Sequence, residues 1–320
     1  MSTVFLDFDS LRPADLELQG LQRLASVKLF GRSTADEILT RLGAAETVVV
    51  NKVHLGDTEL KAAPKLRLIC LAATGSDNID LEACTARGIA VCNIRNYCTP
   101  AVVQHVFALL LNLNQHLDAY RRQVAAGAWQ RSPQFCLLEP PLRELQGQVL
   151  GIVGYGTLGR AVAAAGRAFG MQILAARLPG NPTPTADPDI RRLPLEALLE
   201  QSDCVSLHCP LTPTTAHLID APALQRMRRE AVLINTARGG LVDSAALAAA
   251  LRDGSIAGAG IDVLAEEPPV SDPLLDTDIP NLIVTPHMAW SARESRQRAL
   301  DQIVANIEAF YSGEPQNRIA

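Results

Sequence analysis

Hydrophobic and polar positions divide the first part of the chain into short apolar runs separated by segments of mixed character. Five such runs precede residue 98, namely "VFLDF", "VKLF", "TVVV", "LRLICLA" and "IAVCN". The segments between them, such as "TADEILTRLG", have the spacing of helices. Continuous apolar strands that alternate with helices indicate a parallel sheet covered on both faces.

A second series of the same kind occupies the later part of the chain. A long helical pattern, "AVVQHVFALLLNLNQHLDAYRRQVAAGAW", follows Thr99 and Pro100. Six apolar runs begin at Gln148: "QVLGIVG", "MQILAA", "CVSLH", "AVLIN", "AGAGIDV" and "NLIVT". Six strands of this type make a complete doubly wound dinucleotide fold. A last helical pattern runs from about Ala292 to Tyr311.

These patterns predict an α/β protein with two doubly wound parallel-sheet domains. We expect residues 1–98 and 291–320 to form a discontinuous, flavodoxin-like substrate domain, because the last helix would return to the first sheet. Residues 99–290 would form a Rossmann-type cofactor domain inserted into it.

Composition and charge exclude several classes of function. The chain has 320 residues, of which 48% are hydrophobic and 20% charged, so a well-filled core is available. The net charge is −5 and no run is rich in Lys or Arg, which argues against nucleic acid as a partner. The start of the chain lacks a secretory signal, and the longest apolar run, "VFALLLNL", is far shorter than the ~20 residues of a membrane span. We therefore expect a cytoplasmic protein without a membrane partner.

Cysteines and histidines are not spaced as metal ligands. The seven cysteines are irregularly placed and include no C-x-x-C, so neither a disulfide framework nor a zinc ribbon is expected. No H-x-x-x-H or carboxylate cluster suggests another metal. Five of the six histidines are interpreted as structural or surface residues: His54, His105, His116, His208 and His217.

The stretch "VLGIVGYGTLGRAVA" contains a glycine fingerprint directly after a strand and at the start of a helix. Gly154 would permit the tight turn, Gly156 would leave room for a pyrophosphate, and Gly159 would allow close packing of helix and strand. The helix amino terminus would supply amide donors to the phosphates. A glycine turn that serves packing alone is the alternative.

Arg177 stands where this fingerprint normally has an acidic residue, at the end of the next strand. A carboxylate there would accept hydrogen bonds from the adenosine ribose and repel a 2′-phosphate, whereas a guanidinium can bind that phosphate. Arg177 therefore predicts NADP(H), and Asn181 could add a donor. The alternative is a solvated arginine in a protein that still accepts NAD(H).

Three polar positions follow later strands of the second series. Arg238 follows "LIN" and could bind a substrate carboxylate, or it could be a capping or salt-bridge residue. Asp262 ends the next strand, with Glu266 and Glu267 after it. His287 follows the last strand, where a histidine beside a carboxylate is suited to proton transfer.

The turn "ATGSDNID" follows a strand of the first series. Thr74 and Gly75 could offer consecutive backbone amides to an anion. An ordinary strand-to-helix turn capped by Asp80 explains the same residues equally well.

Taken together, these stretches resemble the D-isomer-specific 2-hydroxyacid dehydrogenase family over nearly the whole chain, most closely its glycerate dehydrogenase or hydroxypyruvate reductase branch. The likeness rests on "NYCTPAVVQHVFALLL", "GAWQRSPQFCLL", "GIVGYGTLG", "SLHCPLTPTT", "LINTARGGLVD", "DVLAEEPP" and "TPHMAWSARESRQRA". It implies that Arg238, Glu267 and His287 are the catalytic residues. Arg238 would bind the carboxylate and polarise the keto group, and His287, held protonated by Glu267, would donate a proton.

The resemblance also implies ligand contacts at the other matching positions. Thr74 and Gly75 would bind the substrate carboxylate, together with Arg238 and His287. The cofactor would contact His287, the three fingerprint glycines and Arg177, and further matching positions: Thr157 and Leu158 at the pyrophosphate, Thr236, Ala237 and Asp262 beside the nicotinamide carboxamide, and Cys209 and Pro210 near the adenine ribose.

Two further features bear on the pocket and on assembly. "HMAW" replaces the smaller "H-x-G-G" of many relatives, so we expect Met288 and Trp290 to reshape the pocket or the edge of the cofactor. The resemblance implies a homodimer through the helices around residues 100–150, with Phe135 lent to the partner subunit's site.

The function implied is reversible hydride transfer between NADP(H), or NAD(H), and a small 2-oxo or D-2-hydroxy acid. Hydroxypyruvate or glyoxylate would be reduced to D-glycerate or glycolate. A dehydrogenase for a bulkier 2-oxo acid and a short phosphoglycerate dehydrogenase are alternatives within the family. A dinucleotide-sensing corepressor is the alternative from another class, because fold does not determine function.

Overall fold

A computed structural model describes residues 2–178, 190–276 and 278–320. Twelve strands are present in the described part of the chain: β1 Thr3–Phe5, β2 Val27–Leu29, β3 Thr47–Val50, β4 Leu68–Leu71, β5 Ala90–Cys92, β6 Val149–Val153, β7 Gln172–Arg177, β8 Arg191–Pro194, β9 Cys204–Leu207, β10 Val232–Asn235, β11 Gly258–Ile261 and β12 Leu282–Val284.

Eleven α-helices lie between and after these strands within the described residues: α1 Gln19–Arg23, α2 Ala35–Leu42, α3 Asp57–Lys61, α4 Leu81–Ala86, α5 Thr99–Gln115, α6 Leu117–Ala125, α7 Thr157–Ala168, α8 Leu195–Gln201, α9 Ala221–Arg226, α10 Ser244–Arg252 and α11 Arg293–Tyr311. None of them is both long enough and apolar enough to cross a membrane. Short 3-10 helices occupy Phe8–Leu11, Pro13–Asp15, Gly239–Leu241 and Pro273–Leu275.

The chain forms two compact units, Met1–Cys98 with Trp290–Ala320, and Thr99–Ala289. The second division falls one residue before the expected boundary at 290, because Trp290 packs against the apolar core of the first unit. The prediction of an α/β protein with two doubly wound parallel sheets is confirmed.

The first unit is a five-stranded parallel sheet in the order β2-β1-β3-β4-β5, the flavodoxin-like order. Successive side chains along its strands enter two different apolar clusters, one on each face of the sheet. On β4, Leu68 and Cys70 join one apolar cluster and Ile69 and Leu71 join the other. One face is covered by α11, and the other by residues of α2, α3 and α4. This burial on both faces explains why the strands read as continuous apolar runs.

The second unit is a seven-stranded parallel sheet in the order β12-β11-β10-β9-β6-β7-β8. The expectation of six strands was therefore one short. The missing strand is β8, "RRLP", which is the third strand of the Rossmann order and lies at the sheet edge. Two arginines and a proline are tolerated there because an edge strand is paired on one side only, and they left no apolar run in the sequence.

The helical pattern after Pro100 is broken once. His116 adopts the left-handed conformation, with φ of 47°, and separates α5 from α6. The α5 helix packs closely on β11, where a Cβ on Gly260 would lie 2.9 Å from the Cβ of Leu109. The glycines of β11 therefore let α5 approach the sheet directly.

Candidate active site

The glycine fingerprint forms the turn between β6 and α7. Gly154 has φ of 99°, and a Cβ there would lie 2.5 Å from the backbone nitrogen of Cys209. A Cβ on Gly159 would lie 2.2 Å from the carbonyl oxygen of Gly154. A Cβ on Gly156 would meet nothing within 4 Å. Two glycines thus serve close packing, and the third faces open space at the helix amino terminus.

Arg177 is the last residue of β7, where it pairs with Pro194 of β8. Its side chain is exposed. It therefore stands at the carboxyl end of the strand next to the glycine turn, as the sequence led us to expect. Asn181, the possible second donor, lies outside the described residues.

The loop after β10 carries Arg238 in an extended conformation. Asn235 is completely buried, and its side-chain amide bonds to the backbone of this loop through both its oxygen and its nitrogen. Its Oδ1 accepts the backbone N–H of Ala237 at 3.0 Å, and its Nδ2 donates to the carbonyl oxygen of Arg238 at 2.9 Å. The Arg238 guanidinium donates to the carbonyl oxygen of Ala237 at 2.8 Å. The backbone of the arginine is therefore held by a residue that the sequence did not single out.

Gly239 joins this loop to the loop after β11. A Cβ on Gly239 would lie 2.0 Å from the carbonyl carbon of Leu264, so only glycine permits the contact. The backbone N–H of Leu264 donates to Oε1 of Glu267 at 3.0 Å. The loop of Arg238 and the loop of Glu267 are consequently packed backbone to backbone.

Glu267 and His287 form the most direct polar pair of the site. Nδ1 of His287 lies 2.5 Å from Oε2 of Glu267, and both side chains are about a third exposed. A carboxylate accepts hydrogen bonds, so Nδ1 carries a hydrogen toward Glu267. Nε2 is then the ring atom available to a substrate. This is the orientation that a proton donor needs.

Asp262 supports the segment that carries His287. Its carboxylate is fully buried and accepts hydrogen bonds from the Thr285 hydroxyl at 2.6 Å and from the backbone N–H groups of Met288 and Ala289, each at 2.9 Å. Burial raises the pKa of Asp262, but hydrogen bonds from His105, Thr285 and the two backbone groups outweigh it, so the pKa lies below its usual value. The contact of Asp262 with the nicotinamide carboxamide stays a prediction.

The candidate site residues of the second unit thus lie at the carboxyl ends of parallel strands in one sheet. These strands are β6, β7, β9, β10, β11 and β12. The family model described as "D-isomer specific 2-hydroxyacid dehydrogenase, NAD binding domain" matches residues 107–289, more than half of the chain. The chain belongs to the D-isomer specific 2-hydroxyacid dehydrogenase family.

Relatives of this dehydrogenase support the same assignment. A glycerate dehydrogenase from Methylorubrum extorquens is 47% identical over 89% of this chain and 88% of its own length. A hydroxypyruvate reductase from Blautia hydrogenotrophica is 36% identical over 99% of both. The solved structure of an NADPH-dependent glyoxylate/hydroxypyruvate reductase from Sinorhizobium meliloti, in complex with citrate, has a TM-score of 0.84 and 30% identity, and covers 100% of this chain and 98% of its own. The protein is an oxidoreductase of the glycerate dehydrogenase and hydroxypyruvate reductase type.

The second unit of the dehydrogenase fits a dinucleotide. Gly156 leaves space in front of the amino terminus of α7, which begins at Thr157. Among the described residues, the hydroxyl of Thr236 is buried without a hydrogen-bond partner. A buried hydroxyl that no protein group satisfies is suited to a ligand donor or acceptor. Cys209 is buried against the glycine turn. Burial raises the pKa of its thiol to about 11, so the side chain beside the turn is neutral.

The first unit of the dehydrogenase places Thr74 and Gly75 in the turn after β4. The Thr74 hydroxyl donates to the carbonyl oxygen of Ile94 at 2.7 Å, and its own carbonyl accepts from Asn93 Nδ2 at 2.8 Å. Asp80 caps α4 by accepting the N–H of Ala83 at 2.8 Å. The capping explanation of this turn is therefore correct, and the anion-binding role of its amides stays a prediction.

The aromatic residues singled out in the sequence lie in different surroundings. Trp290 packs on Tyr97, with ring centroids 6.4 Å apart, in the core of the first unit. Phe135 is 89% exposed, and its carbonyl oxygen accepts from the Trp129 indole at 2.9 Å. Met288 is exposed beside His287. Trp290 is thus a partly buried residue packed against the core of its own unit, whereas Phe135 is displayed on the surface.

Three supporting residues were missed in the sequence: Asn235, Gly239 and His105. The first two stand within the motif that carries Arg238, so their position next to a candidate site residue was a signal. His105 had no such signal, because it stands within an apolar helix far from the other residues in the chain.

Proposed function

We propose that this dehydrogenase reduces small 2-oxo acids, hydroxypyruvate and glyoxylate first among them, with NADPH. D-glycerate and glycolate would be the products, and the reverse oxidation would use the same groups. The observation that carries the proposal is the Glu267–His287 pair, packed against the Arg238 loop in the unit that contains the glycine turn. These are the groups that a carbonyl reduction needs beside its hydride source.

Arg238 would hold the substrate through its carboxylate. A guanidinium matches a carboxylate with paired donors, and it also stabilises the negative charge that develops on the keto oxygen. We propose that the backbone amides of Thr74 and Gly75 bind the carboxylate as well. Fixing the carboxylate orients the C2 carbonyl, and such positioning supplies much of the rate.

His287 would complete the reaction as the proton donor. Glu267 accepts the Nδ1 hydrogen and so directs Nε2–H at the keto oxygen. A bound nicotinamide supplies the hydride for C2 of the substrate. In the reverse direction, neutral Nε2 of His287 accepts the hydroxyl proton of the D-2-hydroxy acid.

The preference for NADPH rests on Arg177. Its side chain is exposed at the end of β7 and would bind a 2′-phosphate on the adenosine ribose. The Sinorhizobium meliloti relative of known structure is an NADPH-dependent reductase, whereas the matching family domain is described as NAD binding. We therefore propose a preference for NADP(H) and not an exclusive use of it.

The cofactor preference is tested by steady-state reduction of hydroxypyruvate with NADPH and NADH. Arg177→Asp is expected to lower the ratio of kcat/KM for NADPH over NADH by about 10-fold to 100-fold, the value of one or two charge-assisted hydrogen bonds. Arg191→Asp is the matched control. Arg191 is an exposed arginine on the adjacent strand β8, three residues before Pro194, which pairs with Arg177, and so it lies further from the carboxyl ends of the strands. An unchanged ratio in Arg177→Asp would show that Arg177 does not read the phosphate.

A substrate panel with the preferred cofactor tests the choice of acid. Hydroxypyruvate and glyoxylate are expected to have the highest kcat/KM, above pyruvate, a branched 2-oxo acid and 3-phosphohydroxypyruvate. A phosphorylated substrate that surpasses hydroxypyruvate would favour the phosphoglycerate dehydrogenase alternative. A branched acid in first place would favour the alternative with a wider pocket.

We propose further that the dehydrogenase is a homodimer that shares Phe135 between subunits. Six large apolar side chains between residues 117 and 142 are exposed, and a second copy would cover them: Leu117, Val124, Trp129, Phe135, Leu138 and Leu142. Exposed large apolar side chains that form a patch on a protein surface often mark an interface. Light scattering gives the mass of the assembly directly.

Sharing of Phe135 is tested by subunit mixing. Phe135→Ala is expected to raise KM for hydroxypyruvate, and His287→Ala to lower kcat at least about 100-fold. In a heterodimer of the two variants, the site of the Phe135→Ala chain keeps its own His287 and receives Phe135 from the His287→Ala chain. That site, one of the two, should therefore recover the low KM of the wild type. A mixture that keeps the high KM of Phe135→Ala would show that Phe135 acts within its own subunit.

A further inference from the structure

We propose that His105 is a positioning residue for the proton donor, acting through Thr285 and Asp262. It lies in the middle of α5, with 14% of its side chain exposed. Its Nε2 is 3.0 Å from the Thr285 hydroxyl oxygen and 3.4 Å from Oδ1 of Asp262. This role rests on the proposed function, because it assigns His287 as the group that is positioned.

The direction of these hydrogen bonds follows from proton counting. The Thr285 hydroxyl has one hydrogen, and the 2.6 Å contact with the Asp262 carboxylate uses it, since a carboxylate can only accept. The same oxygen must then accept from His105. Nε2 of His105 therefore carries a hydrogen, which Thr285 and Asp262 share as acceptors. The chain His105 to Thr285 to Asp262 is thus polarised in one direction.

Asp262 connects this hydrogen-bonded chain to His287 through backbone groups. Its two carboxylate oxygens accept from Met288 and Ala289, the two residues after His287. Its carbonyl oxygen accepts the N–H of His287 itself at 2.7 Å. The backbone of His287 is therefore bound through the residues on its carboxyl side and through its own amide.

The backbone conformation at His287 requires such support. His287 has φ of 52°, in the left-handed region that residues other than glycine seldom adopt. A conformation of this kind persists where the surrounding structure determines it, and it is frequent at functional sites. Because the imidazole extends from this backbone to Glu267, a shift of the Thr285–Ala289 segment would move Nε2. A displacement of about 1 Å at a reacting group can cost about 100-fold in rate.

The ordinary explanation of His105 is a structural residue that ties α5 to the sheet. Removing it would then lower stability and leave the geometry of the proton donor unchanged in the molecules that fold. The two explanations differ in what a conservative replacement restores. Glutamine places an N–H at the same number of bonds from Cβ as Nε2 of histidine, whereas leucine fills similar space without a donor.

The test compares His105→Leu and His105→Gln with Gln104→Leu, an exposed neighbour on α5 and a matched control. His105→Leu is expected to lower kcat for hydroxypyruvate about 10-fold to 100-fold, with KM changed less than about 3-fold, and to increase the solvent deuterium isotope effect on kcat. His105→Gln should recover most of the lost kcat, and the control should resemble the wild type. Equal losses in both His105 variants, in proportion to their loss of thermal stability, would overturn the proposal.

A second measurement does not depend on activity. With ¹⁵N-labelled histidine, NMR reports the imidazole signals of His287, identified by their absence in His287→Ala. His105→Leu should shift or broaden these signals, and His105→Gln should return them toward wild-type positions. Unchanged His287 signals in His105→Leu would contradict the positioning role. If the wild type instead failed to reduce any 2-oxo acid while these shifts occurred, the proposed function would fail, and only the structural coupling of His105 to the His287 segment would stand.

Discussion

Two buried aspartates invite comparison, because each secures a loop at the carboxyl edge of a parallel sheet. In the first unit, Asp7 follows β1 and accepts the backbone N–H groups of Asn51, Lys52 and Val53, at 2.7 to 3.1 Å. In the second unit, Asp262 follows β11 and accepts those of Met288 and Ala289. The same device, a carboxylate bound by successive backbone amides, is therefore used in both units.

The two carboxylates differ in their side-chain donors and in their pKa. For Asp7, burial is the largest influence and raises the pKa, although the backbone N–H groups of Lys52, Asn51, Val53 and Asp7 itself oppose it. For Asp262, burial is again the largest single influence, but the added donors His105 and Thr285 bring the pKa below its usual value. Burial thus dominates the pKa of Asp7, whereas the side-chain donors His105 and Thr285 add to the backbone N–H groups at Asp262 and together outweigh burial.

The loops that they hold differ as well. The loop bound by Asp7 would serve the fold of the first unit, and the loop bound by Asp262 contains His287, the proposed proton donor. Substitutions at one edge should therefore change stability alone, and substitutions at the other should change turnover too.

The largest effect is expected from removing the proton donor itself. His287→Ala should lower kcat about 10²-fold to 10⁴-fold, the usual contribution of general acid catalysis, while the variant stays folded. His54→Ala is the control, because His54 is an exposed histidine in the loop that follows Asn51–Val53 of the first unit. Steady-state kinetics with circular dichroism as a check on folding would decide it. A folded His287→Ala enzyme with most of its turnover would refute the assignment of the proton donor.

The next effect separates the two aspartates. Asp262→Asn should lower kcat by about 10-fold or more and cost about 1–3 kcal/mol of stability, because it disturbs both the buried hydrogen bonds and the His287 segment. Asp7→Asn should cost a similar amount of stability and leave kcat of the folded enzyme within about 2-fold. Urea unfolding and kinetics at saturating substrate measure the two quantities. A drop in kcat for Asp7→Asn as large as that for Asp262→Asn would break the distinction.

A smaller effect is expected from pH. The losses of stability in Asp262→Asn and in Asp7→Asn should change with pH in opposite directions. The lowered pKa of folded Asp262 means that its contribution is complete above the unfolded pKa of about 3.9 and is lost as pH falls through the folded value. The raised pKa of folded Asp7 means that stability declines as pH rises from about 3.9 through the folded value. The loss in Asp262→Asn should therefore be larger at pH 7 than at pH 3.5, and the loss in Asp7→Asn should be smaller. Urea titrations at both pH values would show these signs, and a shared sign would contradict the comparison.

The smallest effect is expected at Thr74 in the first unit. If its backbone amide binds the carboxylate, Thr74→Ala should raise KM for hydroxypyruvate only about 2-fold to 5-fold, with kcat nearly unchanged. Loss of the hydroxyl breaks one hydrogen bond to Ile94, worth about 1 kcal/mol. A 10-fold fall in kcat would instead show that a side chain of the first unit takes part in the chemistry.

The sequence by itself determined the strands that are buried on both faces. Eleven of the twelve strands in the described residues appear as apolar runs. Most of them lie between two layers of helices and have no exposed side to mark with polar residues, whereas the edge strand β2 is apolar although largely exposed. It also predicted the glycine turn, Arg177, Arg238, Glu267 and His287, since each belongs to a short motif placed after a recognisable strand. These features are local, so a local pattern can encode them.

Only the tertiary structure decided which residues meet. The edge strand β8 has no apolar pattern, and its place in the sheet comes from pairing with β7. Asn235 and Gly239 act through contacts of their loop, and His105 reaches Thr285 across 180 residues of chain. Periodicity records whether a position is buried, but it carries no information on the partner of a buried polar group. That partner is determined by how α5, β11 and β12 pack, which is why a histidine in an apolar helix looked ordinary in the sequence and lies beside Asp262 in the fold.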